Sequence, residues 1–408
     1  MNVLFVHNNF PAQFRNLATH LARSPAHKVA AIGAEGAQSI DNVLLRRYRM
    51  PPFNVAATHP FARRFDVESI RAEQVLFAIG DLKAAGFTPD VIVGHCGWGE
   101  TLPLRAAFPV ARIATYCEYY YRSEGQDVHF DPESPRIGID GVVTLHCKNA
   151  STLLALAESD LGISPTWWQR HTFPDEFQAK IAVVHEGVDM DKLRPKADAR
   201  FVLPSGAVLD RSREIVTFVA RNLEPMRGYH IFARALPDIL RARPQAQVVI
   251  VGGEGVSYGH TPPEGENWKT IFFAEVAPQL DPSRVHFLPP LAYDDYVSLL
   301  QVSSVHIYLT YPFVLSWSLV EAMAVGCTII GSDTPPLQEV IEHGYNGWLT
   351  PFHDSAALAR LVVKALAEPQ SVAGFGEAAR AVAFERFEKQ ACIAQALNVL
   401  GLGAEPPL

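Results

Sequence analysis

The chain has 408 residues, 48% of them hydrophobic and 19% charged, with a formal net charge of −8. That is the composition of a soluble globular protein too long for one compact core, so two domains are expected and a nucleic-acid partner is not. No apolar run approaches the roughly 18–20 residues of a membrane span, and no leader-like segment precedes the first strand pattern. The reading therefore places the mature start at or near Met1 and the chain in the cytoplasm, with peripheral contact at the inner membrane face left open.

Val3–His7 opens the chain as a core strand, and a helix is expected from Pro11, with Phe14, Leu17 and Leu21 on one face. Further strands are expected at Lys28–Ile32, Asp90–Gly94, Arg112–Thr115, Leu161–Ser164 and Ile181–His185. Two basic clusters interrupt the first half, Arg46-Arg47-Tyr48-Arg49 and Arg63-Arg64. A solvated face is their plainer reading; contact with anionic lipid or a phosphorylated acceptor is the sharper one. Lys192 to Ser212, with Pro195 and Pro204-Ser205-Gly206, has linker composition. A second series of strands is expected beyond it, at Ile215–Ala220, Gln247–Val251, Val285–Leu288, Val305–Leu309 and Thr328–Ile330. Strands alternating with helical patterns in both halves predict an α/β protein built on parallel sheets. Cys96, Cys117, Cys147, Cys327 and Cys392 include no CxxC pair and are odd in number. They are expected to be small buried apolar residues in a reducing compartment, with neither a disulfide framework nor a zinc site.

Four segments carry chemistry. Arg221 and Arg227 flank Glu224-Pro225 in the loop after the first strand of the second half, with Gly228 at the start of a helix. Two guanidiniums beside a helix N-terminus suit a diphosphate. Val251-Gly252-Gly253-Glu254-Gly255 runs a strand into a turn where backbone can approach a ligand closely, but it lacks the full dinucleotide fingerprint. In Phe313-Val314-Leu315-Ser316-Trp317-Ser318, either serine can cap the following helix, and Glu321 in that apolar helix needs a partner. Ribose hydroxyls or an arginine would serve. The loop Gly331-Ser332-Asp333-Thr334 leads into a helix near Pro336.

Together these segments resemble glycosyltransferase family 4, the retaining GT-B enzymes. Val184-His185-Glu186-Gly187-Val188-Asp189 is similar to the family segment before the interdomain linker. Glu321-Ala322-Met323-Ala324-Val325-Gly326 is similar to the second half of its E-x7-E motif, and Gly331-Ser332, Glu339-Val340-Ile341 and Asn346-Gly347 also match. The resemblance implies a GT-B fold of two Rossmann-like domains facing each other across a cleft. The first would span 1–197 and bind the acceptor, joined by a C-terminal helix at about 376–400; the second, 198–375, would bind the nucleotide sugar.

The activity implied is transfer of a sugar from a nucleoside diphosphate donor to an acceptor, with retention and without a metal. The acceptor class implied is a glycan or glycolipid of envelope polysaccharide biosynthesis. The one D-x-D spacing, Asp189-Met190-Asp191, reads as a turn or helix start, and no cofactor is expected. The catalytic roles implied fall to Arg221, Arg227 and Glu118. Donor binding falls to Gly253, Glu254, Leu288, Pro289, Phe313, Val314, Leu315, Ser316, Trp317, Ser318 and Glu321. Acceptor binding falls to Asn9, Phe10, Pro11, His95, Tyr119 and Arg122.

Three departures from the family pattern stand out. Phe313 occupies the place of the usual first Glu, and His7-Asn8-Asn9-Phe10-Pro11 stands for the glycine-rich acceptor loop. Thr115-Tyr116-Cys117-Glu118 stands where an active-site His is usual, leaving Glu118, with His95, Tyr119 or Arg122 nearby, to take its place. Tyr119-Tyr120-Tyr121 reads either as a stacking platform for a sugar ring or as packing aromatics. A GT-B nucleotide-sugar hydrolase or epimerase, or a non-catalytic nucleotide-binding subunit, are the alternative functions.

Overall fold

The computed structural model describes residues 1–403, and the chain divides into two compact units. The first comprises Met1–Val128, Pro135–Gly187 and the segment from Lys389; the second comprises His129–Ser134 and Val188–Glu388.

In the first unit, seven strands form one parallel sheet: β1 (Asn2–Val6), β2 (Lys28–Ala34), β3 (Val43–Tyr48), β4 (Val91–His95), β5 (Arg112–Tyr116), β6 (Leu161–Ser164) and β7 (Ile181–Val183). Their order is β3-β2-β1-β4-β5-β6-β7. Because helices cover both faces, the central strands read as unbroken apolar runs rather than alternating ones. On one face the helix Arg63–Ala84 buries Val75, Ala78, Ile79 and Leu82 against Leu4, Ile32 and Ile92. On the other, Ala18 and Leu21 of helix Arg15–Arg23 share a core with Ala396 and Leu400 of helix Lys389–Leu400. Each fully buried Leu or Phe contributes about 1.5–3 kcal/mol.

The second unit begins with a feature that the composition did not announce. The expected linker holds an antiparallel hairpin of β8 (Arg200–Val202) and β9 (Val208–Asp210), closed over Pro204-Ser205-Gly206. Phe201, Leu203 and Leu209 anchor it to Ile215, Val249 and Leu299, so burial of three side chains overrides the turn-rich composition. A parallel sheet follows, made of β10 (Ile215–Asn222), β11 (Gln247–Gly253), β12 (Val285–Leu288), β13 (Val305–Tyr308), β14 (Ile329–Ser332) and β15 (Trp348–Thr350). Its order is β12-β11-β10-β13-β14-β15.

The units divide at Gly187/Val188, ten residues before the expected boundary. Of the expected C-terminal helix, only Lys389–Leu400 belongs to the first unit. The helix Phe375–Phe387 stays with the second, where Ala379 and Ala383 pack with Ala322 and Ala324 in one core. Strands β3 and β15 were not foreseen. The first was hidden by its arginines and the second has only three residues.

In both sheets the strand order reverses between the first strand and the fourth, at β1/β4 and at β10/β13. Open α/β sheets bind ligands outside the carboxyl ends of the strands at such a switch point. Among the described residues no helix is long and apolar enough to cross a membrane.

Candidate functional site

In the second unit, the switch point is occupied by the loop that leaves β10. Arg221 is exposed, and its guanidinium has no ion pair or hydrogen bond among the described residues. Six residues on, Arg227 is half-buried and donates from Nη1 to Thr310 Oγ1 at 3.0 Å. Its guanidinium lies 5.4 Å from the Tyr258 ring and 5.8 Å from the Phe313 ring. The helix Tyr229–Ala242 starts directly after Gly228, whose φ is +69°. A Cβ there would meet Leu309 Cβ at 2.3 Å, so sterics and backbone both require glycine. Two cations, one free and one braced, therefore stand beside a helix N-terminus, the arrangement that takes a phosphate.

Between them, Glu224 is fully buried. Its Oε2 accepts from the backbone N–H groups of Ser257 and Tyr258 at 3.0 and 3.1 Å. Burial raises its carboxyl pKa against the opposing pull of those bonds and of Arg227 and Arg221. Asn222 adds a bond from Nδ2 to Ser257 Oγ at 2.7 Å. The loop after β11 is thus tied to the loop after β10, and Tyr258 is set against Phe313, ring centroids 4.8 Å apart.

Other expected donor residues gather nearby. Gly253, Glu254, Leu288 and Pro289 line a common cavity of about 300 Å³ with Leu223 and Phe287. Glu254 is held by Lys269 at 2.7 Å. Phe313, Val314 and Leu315 are buried, while Trp317 stays 42% exposed. Of the two candidate caps, Ser316 is the one used: its Oγ accepts from Ser318 N at 3.3 Å at the start of helix Trp317–Val325. Glu321 accepts from the Tyr293 hydroxyl at 2.8 Å, and burial raises its carboxyl pKa above the ordinary value. No cation pairs with it among the described residues, which removes arginine as its partner.

The first unit has its own cluster at the ends of β1, β4 and β5. His95 Nε2 lies 3.2 Å from Glu118 Oε2, and Gln13 donates to Glu118 Oε1 at 3.1 Å. Burial works against a charge on His95, but the hydrogen bond and charge of Glu118 outweigh it and raise the imidazole pKa. The His7 ring centroid is 5.0 Å from that of His95. Burial and the repulsion of His95 lower its pKa well below normal. One imidazole is thus biased toward the charged form and its neighbour toward the neutral one.

The remaining expected acceptor residues differ in what they can offer. Asn9 is exposed, its N–H given to His7 Nδ1 at 2.9 Å. Phe10 is core, packed near Phe5, and Pro11 is buried beside it, so neither presents a side chain to a ligand. Arg122 donates to the carbonyls of Thr172 and Phe173 at 2.8 and 3.0 Å, which ties down a loop. The Tyr119 hydroxyl donates to Asp127 at 3.0 Å and its ring meets Tyr121 edge-on, so packing wins over display in the tyrosine run.

The basic clusters are also engaged locally. Arg47 binds Ala37 O and Ser39, Arg49 pairs with Glu35, and Arg64 binds Glu68 and Gly97 O. His7, Glu224, Tyr258 and Thr310 went unnoticed in the sequence as members of these sites. His7 and Glu224 sit inside segments already singled out, and only their burial distinguishes them.

Comparison with known proteins fits this layout. The family model "Glycosyl transferase family 4 group" matches residues 25–193, and "Glycosyl transferases group 1" matches residues 206–382. The chain is a glycosyltransferase family 4-like protein of GT-B fold. This family 4-like chain is 30% identical over 207 residues to a D-inositol 3-phosphate glycosyltransferase of Streptomyces scabiei, covering 50% of the chain and 44% of that relative. To the enzyme of the same name from Mycolicibacterium paratuberculosis it is 31% identical over 179 residues, 43% of the chain and 37% of the relative. The match thus spans less than half the length of either.

Among solved structures, Anabaena HepE in complex with UDP and glucose superposes with a TM-score of 0.70 at 17% identity, over 98% of this chain and 99% of that one. Sucrose-phosphate synthase from Thermosynechococcus elongatus gives 0.72 at 16% identity, over 98% of each.

Proposed function

We propose that the protein transfers a sugar, with retention of configuration, from a nucleoside diphosphate donor held by its second unit to an acceptor hydroxyl. The observation that carries this reading is the switch-point loop, where the unengaged Arg221 and the braced Arg227 flank the start of a helix. There they would meet the charge that develops on the departing diphosphate. Preorganised donors of this kind lower a barrier because they need no reorganisation during the reaction, and one is worth about 2.7–4 kcal/mol. Glu321 would hold the ribose hydroxyls and the cavity beside Gly253 the base. A metal is not needed for leaving-group departure in this scheme, because the two guanidiniums supply the positive charge.

Glu118 and His95 form a coupled carboxylate–imidazole pair in the first unit, suited to orienting an acceptor hydroxyl and holding its proton. UDP and glucose bound to HepE, at low identity, make a uridine nucleotide the first donor to try. The names of the curated relatives make a phosphorylated cyclitol an acceptor to test beside envelope glycans and glycolipids. The deciding assay follows nucleotide-sugar turnover with and without these acceptors. Acceptor-dependent release of nucleoside diphosphate is expected. Equal turnover without acceptor would indicate a hydrolase or epimerase, and binding without turnover a non-catalytic subunit.

A further inference from the structure

Apart from the donor residues, the second unit encloses a second polar cavity, of about 200 Å³, lined by Asp131, Glu133, His230, His260 and the aromatic walls Trp268 and Phe272. Asp131 and Glu133 come from the short segment His129–Ser134, which packs wholly within this unit although its chain neighbours belong to the other. Asp131 is 2% exposed; it accepts the Tyr311 hydroxyl on Oδ2 and Glu133 N–H on Oδ1. His230, second residue of helix Tyr229–Ala242, is 1% exposed. Its Nε2 lies 3.1 Å from Asp131 Oδ2, within ion-pair range, while Nδ1 is buried with no hydrogen-bond partner among the described residues. A buried imidazole nitrogen left without a partner is costly, and such a group usually has a ligand to serve.

We propose that Asp131, Glu133 and His230, with His260 on the same cavity wall, form a binding site for a divalent transition-metal ion of the zinc class. One ligand atom from each of the first three lies within 4.8 Å of the others. Bonds of about 2.1 Å in a tetrahedral site require separations of about 3.4 Å, so the donors must close by roughly an ångström. Glu133 is the donor free to make that move, because its side chain is 50% exposed.

Its present partner tolerates the loss. Arg234 binds Glu133 at 2.5 and 2.9 Å, but it also binds Glu275 at 2.6 and 3.0 Å and stays paired if Glu133 turns to the ion. A mixed imidazole–carboxylate set favours zinc, manganese or iron over magnesium or calcium, which prefer all-oxygen shells. Pro225, next to Glu224, forms part of the cavity wall, so the ion would stiffen the underside of the arginine loop without touching a substrate.

The test uses the full chain, stripped with chelator and titrated with Zn²⁺ against a chromophoric competitor, with Mg²⁺ as the control ion. One Zn²⁺ per chain is expected, with a raised melting temperature and an X-ray absorption signature containing imidazole. His230→Gln and Glu133→Gln should each weaken binding by at least about tenfold, the loss seen when even an outer-shell partner of a metal site is removed. Glu133→Gln guards against a misfolded His230 variant, since it alters a partly exposed side chain. Absence of stoichiometric Zn²⁺ binding, or binding unchanged in both variants, would overturn the assignment. None of these readouts uses turnover, so their failure leaves the glycosyl-transfer reading standing, and the reverse also holds.

Discussion

Glu321→Gln separates ligand binding from stability most cleanly. In the free protein the carboxylate is met by two tyrosines, the Tyr293 hydroxyl at 2.8 Å and Tyr296, and among the described residues no cation pairs with it. A glutamine keeps an acceptor oxygen for that hydroxyl and removes a charge that burial disfavours. The apo fold should therefore be unharmed, whereas losing half of a buried ion pair would cost about 3–5 kcal/mol. The pH dependence follows from the raised carboxyl pKa. An acid whose pKa is higher folded than unfolded costs stability as pH rises from its unfolded value through its folded one. The variant should match wild type in melting temperature near pH 4 and equal or exceed it at pH 7.

Nucleotide binding should move the other way. Hydrogen bonds to a charged group are worth about 1.5–3 kcal/mol and neutral ones about 0.5–1.5, a difference near 1 kcal/mol for each ribose hydroxyl. Two hydroxyls give about 2 kcal/mol, or a ~30-fold rise in Kd. Calorimetric titration with a nucleoside diphosphate and a melting curve at the two pH values are the measurements. Unchanged nucleotide affinity refutes the ribose role. A collapse of the apo melting temperature refutes the account of its surroundings.

Arg227→Ala should lower kcat/KM by about 10²–10³, the cost of losing one preorganised donor, and Arg221→Ala by at least about tenfold, with circular dichroism unchanged; near-normal turnover would remove either residue from the mechanism. Glu118→Gln leaves His95 buried without its carboxylate, so NMR titration should find the His95 pKa lowered. In the wild type the raised His95 pKa contributes stability below the unfolded value of about 6.5 that disappears as pH rises through the folded value, and the variant should lack that dependence. Turnover measured well below the melting temperature should survive excess EDTA, even though chelation lowers the melting temperature if the Asp131 site holds an ion. Loss of turnover that Mg²⁺ restores in both wild type and His230→Gln would show that the donor chemistry itself needs a metal.

Much of the fold was already legible in local patterns. Leu161–Ser164 and Val285–Leu288 were read to the residue, and the other expected strands to within two or three, because strands covered on both faces must be continuously apolar. The diphosphate loop was legible because its cations and its glycine lie within eight residues of each other. What failed were elements whose stability is not local. The hairpin β8–β9 exists because Phe201, Leu203 and Leu209 find a core elsewhere in the unit, and β3 exists because a sheet edge accepts its arginines.

The same division holds for the sites. By itself the sequence determined two parallel α/β units, the arginine loop and the suspect carboxylates Glu118 and Glu321. Only the tertiary structure decided what those carboxylates face. Glu118 meets His95 across 23 positions of sequence, while Glu321 meets Tyr293 and Tyr296 and, among the described residues, no cation. Tertiary packing also sends Phe10, Tyr119 and Arg122 to internal duties, and brings Asp131 to His230 from 99 residues away. Composition and periodicity constrain which side chains are buried, but a side chain's partner is set by chain crossings that no local pattern encodes.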